Sequence, residues 1–214
     1  MFQIFLMLFL ISCGKEEKEV PIYCCDPEIN DWVITNQSYL NTLSRSELVV
    51  YGPEKVKAAF ISFSPEKKAE LWKEKVNELL KYNWTENEYQ HIKRLQNFIS
   101  PEIYNQSNSE QAKVFSEEWM TFASETLNWD FPKIVETIGF LEMPQELQKS
   151  LKDQIESRFK TPNCQCEWDT WCYIASTGQS YECGANSAER PCKPTQYRCG
   201  FLYIFSCNGR CIID

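Results

Sequence analysis

Histidine is nearly absent from this chain, which has one such residue, His91, among 214. A catalytic triad or a histidine-rich metal site needs imidazole groups, so neither is expected. GxSxG, glycine-rich phosphate-loop and HExxH motifs are also absent. The sequence therefore predicts no enzyme: no catalytic residue, no metal ligand and no cofactor. We expect His91 to be a surface or partly packed residue of a helix.

Glycine is scarce too, with seven residues against thirteen phenylalanines and seven tryptophans. A chain that is 43% hydrophobic and 14% aromatic can bury a core, which excludes wholesale disorder. Acidic residues outnumber basic ones by 30 to 22, so the formal net charge is −8. Such a surface repels phosphate backbones, and nucleic acid is not expected as a partner.

Apolar residues are concentrated at the N-terminus, where they occupy ten of the first twelve positions. This run is shorter than the roughly 20 residues that span a bilayer, and it predicts a signal peptide at residues 1–12. The following motif, Leu10-Ile11-Ser12-Cys13, resembles a bacterial lipobox. The resemblance implies cleavage before Cys13 and lipidation of its thiol. A plain secretory signal with a chance cysteine is the alternative.

A charged segment, residues 14–19, follows Cys13 directly. Its lysine and acidic residues resemble the export signal of Bacteroidetes-type surface lipoproteins. That resemblance implies a lipoprotein of the outer membrane, in the cell envelope, that faces outward and contacts the membrane through its N-terminal lipid. The alternative is a charged tether that carries no address. Several acyl chains together, at ~0.8 kcal/mol per buried CH₂, would anchor the chain stably.

Helical periodicity runs through residues 53–160. Ser64-Pro65 combines a cap residue with proline at the first helical position, and Thr85 with Glu88 forms a capping box. The fold class is therefore mainly α, with a bundle-like body of about five helices and short connections. Later helices are predicted at about 109–126, at about 132–141 and from Pro144. Residues 13–52 are predicted to be a lipid-anchor tether and an irregular lead-in.

Three tryptophans of this body, Trp72, Trp119 and Trp129, could in principle line a sugar-binding site. Trp72 and Trp119 lie on the apolar stripes of their predicted helices. Aromatic side chains in such positions more commonly pack in a core. The sequence therefore predicts an aromatic-rich core for the body.

Cysteine is clustered in residues 161–214, which hold eight of the eleven cysteines. They are Cys164, Cys166, Cys172, Cys183, Cys192, Cys199, Cys207 and Cys211. About 50 residues bury too little surface to fold unaided, and disulfides each contribute ~2–4 kcal/mol. Zinc is disfavoured because the segment lacks CxxC and histidine. We expect four disulfides among 105 combinations, and little regular structure besides a β element at 201–205.

The cysteine-rich segment carries a specific combination of short motifs. These are Asn163-Cys164-Gln165-Cys166, Asp169 ahead of Cys172, Cys199-Gly200 and the near-terminal Cys207-Asn208-Gly209. In this combination the segment resembles the bacteriocin fulvocin C-related proteins. Ser64-Pro65-Glu66 and Leu71-Trp72 resemble that family as well. The resemblance implies an antibacterial or toxin-like role without enzymatic activity, directed at a target-cell envelope. The chain departs from the family pattern by continuing to Cys211.

Aromatic residues are frequent in the same segment, and a small module has little core in which to bury them. A candidate binding surface is therefore formed by Trp168, Trp171, Tyr173, Tyr181, Tyr197 and Tyr203. The alternative function is a surface binding or adhesion lipoprotein that recognises a glycan, membrane or protein ligand. A large buried interface between module and body would argue against a released peptide.

Overall fold

A computed structural model describes residues 21–24, 26–105, 109–145, 163–166, 172–174, 179–181 and 195–212. Within these residues seven α-helices come first: α1 Pro27–Leu40, α2 Arg45–Leu48, α3 Pro53–Ser62, α4 Pro65–Leu79, α5 Glu86–Phe98, α6 Glu110–Thr121 and α7 Phe131–Ile138. The strands follow: β1 Asn163–Cys166, β2 Cys172–Ile174, β3 Gln179–Tyr181, β4 Thr195–Cys199 and β5 Phe205–Ile212. The chain is mainly helical, as predicted.

The two predicted helix starts are confirmed by their hydrogen bonds. Pro65 is the first residue of α4, and the Ser64 hydroxyl accepts a hydrogen bond from the Lys67 amide. At α5, the Thr85 amide donates to the Glu88 carboxylate at 3.0 Å, and the Glu88 amide donates back to the Thr85 hydroxyl. Both caps use partners within four residues, which is why they can be read from sequence.

The lead-in at residues 13–52 is not irregular throughout, because α1 and α2 lie within it. Asp26 caps α1 by accepting from the amides of residues 28 and 29, and proline again takes the first helical position. Ile29, Val33 and Leu40 then lie on one helical face and are buried. The signal that predicted α4 is thus also present at residues 26–27.

The helix predicted at about 109–126 is confirmed over its whole length, but its last turn is π-helical, at Phe122–Thr126. The helix predicted at about 132–141 is α7, whose first turn is capped by Asp130. The helix predicted from Pro144 lies outside the described residues after residue 145. No helix in the described ranges is both long and apolar enough to cross a membrane.

Trp72, Trp119 and Trp129 are buried in the core, as predicted. The core joins residues of helices α1–α7 to a second, distant segment, residues 201–205. The predicted boundary between residues 160 and 161 therefore separates two segments that share one hydrophobic core.

The strands form two antiparallel sheets in the described residues. One has the order β1-β5-β4, and the other is the β2-β3 pair. Residues 201–205 were expected to be a β element, but Phe201–Tyr203 form a 3₁₀ turn and β5 begins only at Phe205. Leu202 and Tyr203 have φ values of 51° and 56°, in the left-handed region that ends a strand. Side chains of a strand alternate between two faces, whereas this bent turn buries consecutive side chains.

Candidate functional site

The feature that links the cysteine-rich module to the helical body is the turn at residues 201–205, here called the docking turn. None of its five side chains is more than 1% exposed. Large apolar side chains are buried this completely only when they belong to a core. The docking turn therefore belongs to the body by packing, although the helices of the body lie some 60 or more residues earlier in the chain.

Phe201 enters an aromatic pocket between α5 and α6. Its ring centroid lies 5.8 Å from that of Trp119, 6.0 Å from Phe115 and 6.4 Å from Phe98, and all three pairs are close to perpendicular. Edge-to-face pairs in this range contribute about 0.5–1.5 kcal/mol each beyond the area that they bury. Phe201 is thus surrounded by rings of the body.

Tyr203 lies between α3 and α4. Its ring packs edge-on against Phe60 at 5.2 Å and Trp72 at 5.4 Å. The carbonyl of the preceding residue, Leu202, accepts a hydrogen bond from the hydroxyl of buried Tyr104, at 3.3 Å. Burial raises the pKa of Tyr104 well above its usual range, so this hydroxyl keeps its proton and remains a donor. Tyr203 was expected on an exposed binding surface, but it serves as a core residue.

The module also approaches the body along its backbone, because strand β4 lies beside helix α3. Cys199 ends β4, and Gly200 has a φ of 64°, which allows the chain to turn directly into the docking turn. The central strand β5 leaves on the other side of the turn. The docking turn thus connects β4, which lies against α3, to β5, whose first residue Phe205 is buried in the core.

Six of the eight module cysteines lie in described strands. Cys164 and Cys166 are in β1, Cys172 is in β2, Cys199 is in β4, and Cys207 and Cys211 are in β5. Cys183 and Cys192 lie outside the described residues, as do Cys13, Trp168 and Trp171. Tyr173, Tyr181 and Tyr197 are on β2, β3 and β4, and only their backbone is described. The proposed binding surface stays a prediction apart from Tyr203.

Comparison with known proteins places no outside constraint on this site. The chain matches no family model, no curated protein and no solved structure. Within the described residues no cluster of three or more histidine, cysteine, aspartate or glutamate side chains could hold a metal ion.

A buried lysine stabilises the part of the body against which Tyr203 packs. Lys75 of α4 is fully buried, and its ammonium donates hydrogen bonds to the backbone carbonyls of Glu136 and Phe140, at the C-terminal end of α7. Helix C-termini carry partial negative charge, so a cation is favourable there. The same ammonium lies 5.4 Å from the Trp72 ring, which packs on Tyr203. Lys75 thus joins α7 to Trp72, the residue of α4 against which Tyr203 of the docking turn packs.

Arg45, at the start of α2, also joins separate parts of the body through hydrogen bonds. Its buried guanidinium donates to the Leu141 carbonyl at 2.9 Å and to the Glu78 carboxylate at 2.7 Å. A carboxylate oxygen of Glu74 accepts from the Arg45 amide. These bonds tie α2, α4 and the segment after α7 together.

A second buried lysine lies on the same helix as Lys75. It is Lys68, and burial lowers its pKa to about 8.

His91 is buried, contrary to the expectation of a surface or partly packed residue. Its imidazole stacks on Trp119 at 4.2 Å and on Phe122 at 5.0 Å, and it meets the Trp129 ring edge-on. In the described part of the chain neither ring nitrogen has a hydrogen-bond partner. Burial, together with the charge of Arg94, lowers the pKa of His91 to about 4. A neutral, enclosed imidazole of this kind packs as an aromatic ring.

The rim of this aromatic cluster is closed by an ion pair. The Glu88 carboxylate accepts from Lys133 and from the Trp129 indole, each at 2.8 Å, and the Lys133 ammonium lies 4.4 Å from the Trp129 ring. Burial alone would raise the pKa of Glu88, but hydrogen bonds from Lys133, Thr85 and Trp129 lower it to about 2. These contacts join α5 to α7 and to Trp129, which lies just ahead of α7.

His91 should make the folded chain sensitive to mild acid. The unfolded state, with a histidine pKa near 6.5, binds a proton more readily than the folded state, whose His91 pKa is about 4. The contribution of His91 to stability should therefore be complete above pH 6.5 and fall by on the order of 3 kcal/mol as the pH is lowered from 6.5 to 4. Urea denaturation across this range measures the loss.

The matched variant is His91→Phe, which retains an aromatic ring without a titratable group. It should lose the slope between pH 6.5 and 4, while the loss due to Glu88, which titrates lower, remains. An unchanged slope in His91→Phe would assign the acid sensitivity to other groups.

Proposed function

We propose that this chain is an exported, lipid-anchored surface protein of the outer membrane that displays its cysteine-rich module on a helical body and acts by contact, not by release of the module. The observation that carries the proposal is the burial of the docking turn. A peptide made for release would keep its large apolar side chains out of the core of its carrier. Here the two segments share a core.

Burial of the docking turn contributes enough free energy to hold the module on the body. Each of the five apolar side chains of the docking turn gains about 1.5–3 kcal/mol from full burial. Exposing all of them would cost roughly 10 kcal/mol, which is comparable to the entire stability of a typical domain. Cleavage of the chain near residue 161 would therefore leave the module bound non-covalently to the body.

Two roles at the surface are compatible with a retained module. The first is recognition of a surface ligand, such as a glycan, a membrane or a protein, and the burial of the docking turn favours it because retention suits adhesion. The second is contact-dependent antagonism of neighbouring bacteria, which the fulvocin C-like cysteine pattern favours. Both roles require an N-terminal lipid on Cys13 and a module that stays attached to the body.

Retention is tested with the full chain expressed in a Gram-negative host that processes lipoproteins. We expect one lipidated species in the outer-membrane fraction that begins at Cys13, that still contains residues 161–214 and that is accessible to protease on intact cells. Cys13→Ala, the matched control, should lose the lipid and leave the membrane fraction with its module intact. Mass-spectrometric detection of a free fragment that begins near residue 161 in the medium would overturn the proposal.

The two surface roles are separated by a co-culture experiment. Cells that display the chain are mixed with related bacteria, either in direct contact or across a filter that passes proteins. Adhesion without killing supports the binding role, and killing only in contact supports antagonism. Killing across the filter contradicts retention of the module.

A further inference from the structure

The cysteines of strands β1 and β5 occupy matching positions in the sheet. The two strands are antiparallel, and Cys164 is directly opposite Cys211 while Cys166 is directly opposite Cys207. The register shifts between these two pairs, because the cysteines are two positions apart on β1 and four positions apart on β5. The backbone pairing thus places a cysteine of β1 opposite a cysteine of β5 at two positions.

Directly opposite residues of an antiparallel pair have Cα atoms about 4.5–5.5 Å apart. Disulfides require Cα separations of about 4.4–6.8 Å. The register of β1 and β5 therefore satisfies this requirement twice. The remaining cysteines in described strands do not: Cys172 is opposite Tyr181, and Cys199 is opposite Phe205.

We infer that Cys164 is bridged to Cys211 and Cys166 to Cys207. Each bridge forms by thiol–disulfide exchange with an envelope thiol oxidoreductase in its disulfide form. One cysteine thiolate attacks that disulfide to give a mixed disulfide, and the second thiolate displaces the enzyme. The two thiols of the chain lose two protons and two electrons, and the oxidoreductase leaves as a dithiol.

The two bridges reduce the number of possible disulfide pairings in the module. Cys172, Cys183, Cys192 and Cys199 remain, and four cysteines have three pairings where eight have 105. The bridges also join the start of the module to the strand that leaves the docking turn. Because β5 begins in the docking turn, the first module strand is then held covalently to the segment that is buried in the body.

The inference is tested on the full chain purified from an oxidising envelope, with free thiols alkylated before digestion. Trypsin, chymotrypsin and a glutamate-specific protease together should cut after Lys160, Glu167, Phe205 and Arg210. Without reduction, mass spectrometry should then detect one species in which peptide 161–167 is linked to both 206–210 and 211–214. Linkage of 161–167 to any other cysteine peptide would overturn the inference.

Paired substitutions decide which cysteine joins which. The double variant Cys164→Ser with Cys211→Ser removes a whole bridge and should expose no more alkylatable thiols than the parent chain. Cys164→Ser with Cys207→Ser breaks both bridges and should expose two more. The opposite result would assign the bridges as Cys164–Cys207 and Cys166–Cys211. The thiol count does not depend on retention at the surface, so its failure is distinguishable from failure of the proposed function.

Discussion

Replacing Phe201 with alanine is expected to lower the free energy of unfolding of the helical body by about 3–5 kcal/mol. The residue lies in the cysteine-rich module but is fully buried against Phe98, Phe115 and Trp119 of α5 and α6. Its removal leaves a cavity in the core and forfeits three edge-to-face contacts. Urea denaturation followed by helical circular dichroism measures the loss.

The matched control is Val114→Ala, also on the helical body at α6 but 43% exposed. It should change the free energy of unfolding by no more than about 0.5 kcal/mol. If Phe201→Ala were as mild as this control, packing of Phe201 would not stabilise the body, and burial of the docking turn would not explain retention of the module.

Lys75→Met should destabilise the chain by about 3 kcal/mol, although methionine fits the space and is apolar. The substitution removes the ammonium that bonds to the carbonyls of Glu136 and Phe140, and it leaves buried acceptors at the end of α7 without their donor. An unsatisfied buried polar group costs about 1–3 kcal/mol, and loss of one partner from a buried charged site costs more. Thermal and urea denaturation both measure this effect.

Lys73→Met, two residues away on the same helix, is the control because Lys73 is exposed. We expect it to alter stability by less than about 0.5 kcal/mol. Equal effects of the two substitutions would show that the buried hydrogen bonds of Lys75 do not stabilise the contact between α4 and α7. A gain in stability for Lys75→Met would mean that its desolvation outweighs those bonds.

Much of the helical body could be predicted because its signals are local. The caps at Ser64 and Thr85 involve atoms within four residues, and the buried tryptophans fall on helical stripes. The cap at Asp26 has the same form and could have been found in the same way. For the candidate site, the sequence indicated the composition of the module, but it assigned Tyr203 to the wrong environment.

Lys75 and His91 show why the rest could not be predicted. A lysine among the charged residues of α4 has the sequence environment of a solvated side chain, and only the position of α7 provides its two carbonyl partners. His91 is enclosed because α6 and the π-helical turn bring Trp119 and Phe122 against it. Both environments depend on partners some 28 or more residues distant in the chain.

By itself, the sequence determined that the chain is mainly helical, where several helices begin, and that its cysteines are concentrated in one segment. These properties depend on short-range hydrogen bonds, helical periodicity and composition. Only the tertiary structure decided that residues 201–205 bend into a buried turn, that Tyr203 packs on Phe60 and Trp72, and that the cysteines of β1 come opposite those of β5. Long-range packing sets these features. A short apolar segment has the same composition whether it forms a strand or a turn, and its neighbours in space determine which of the two it adopts.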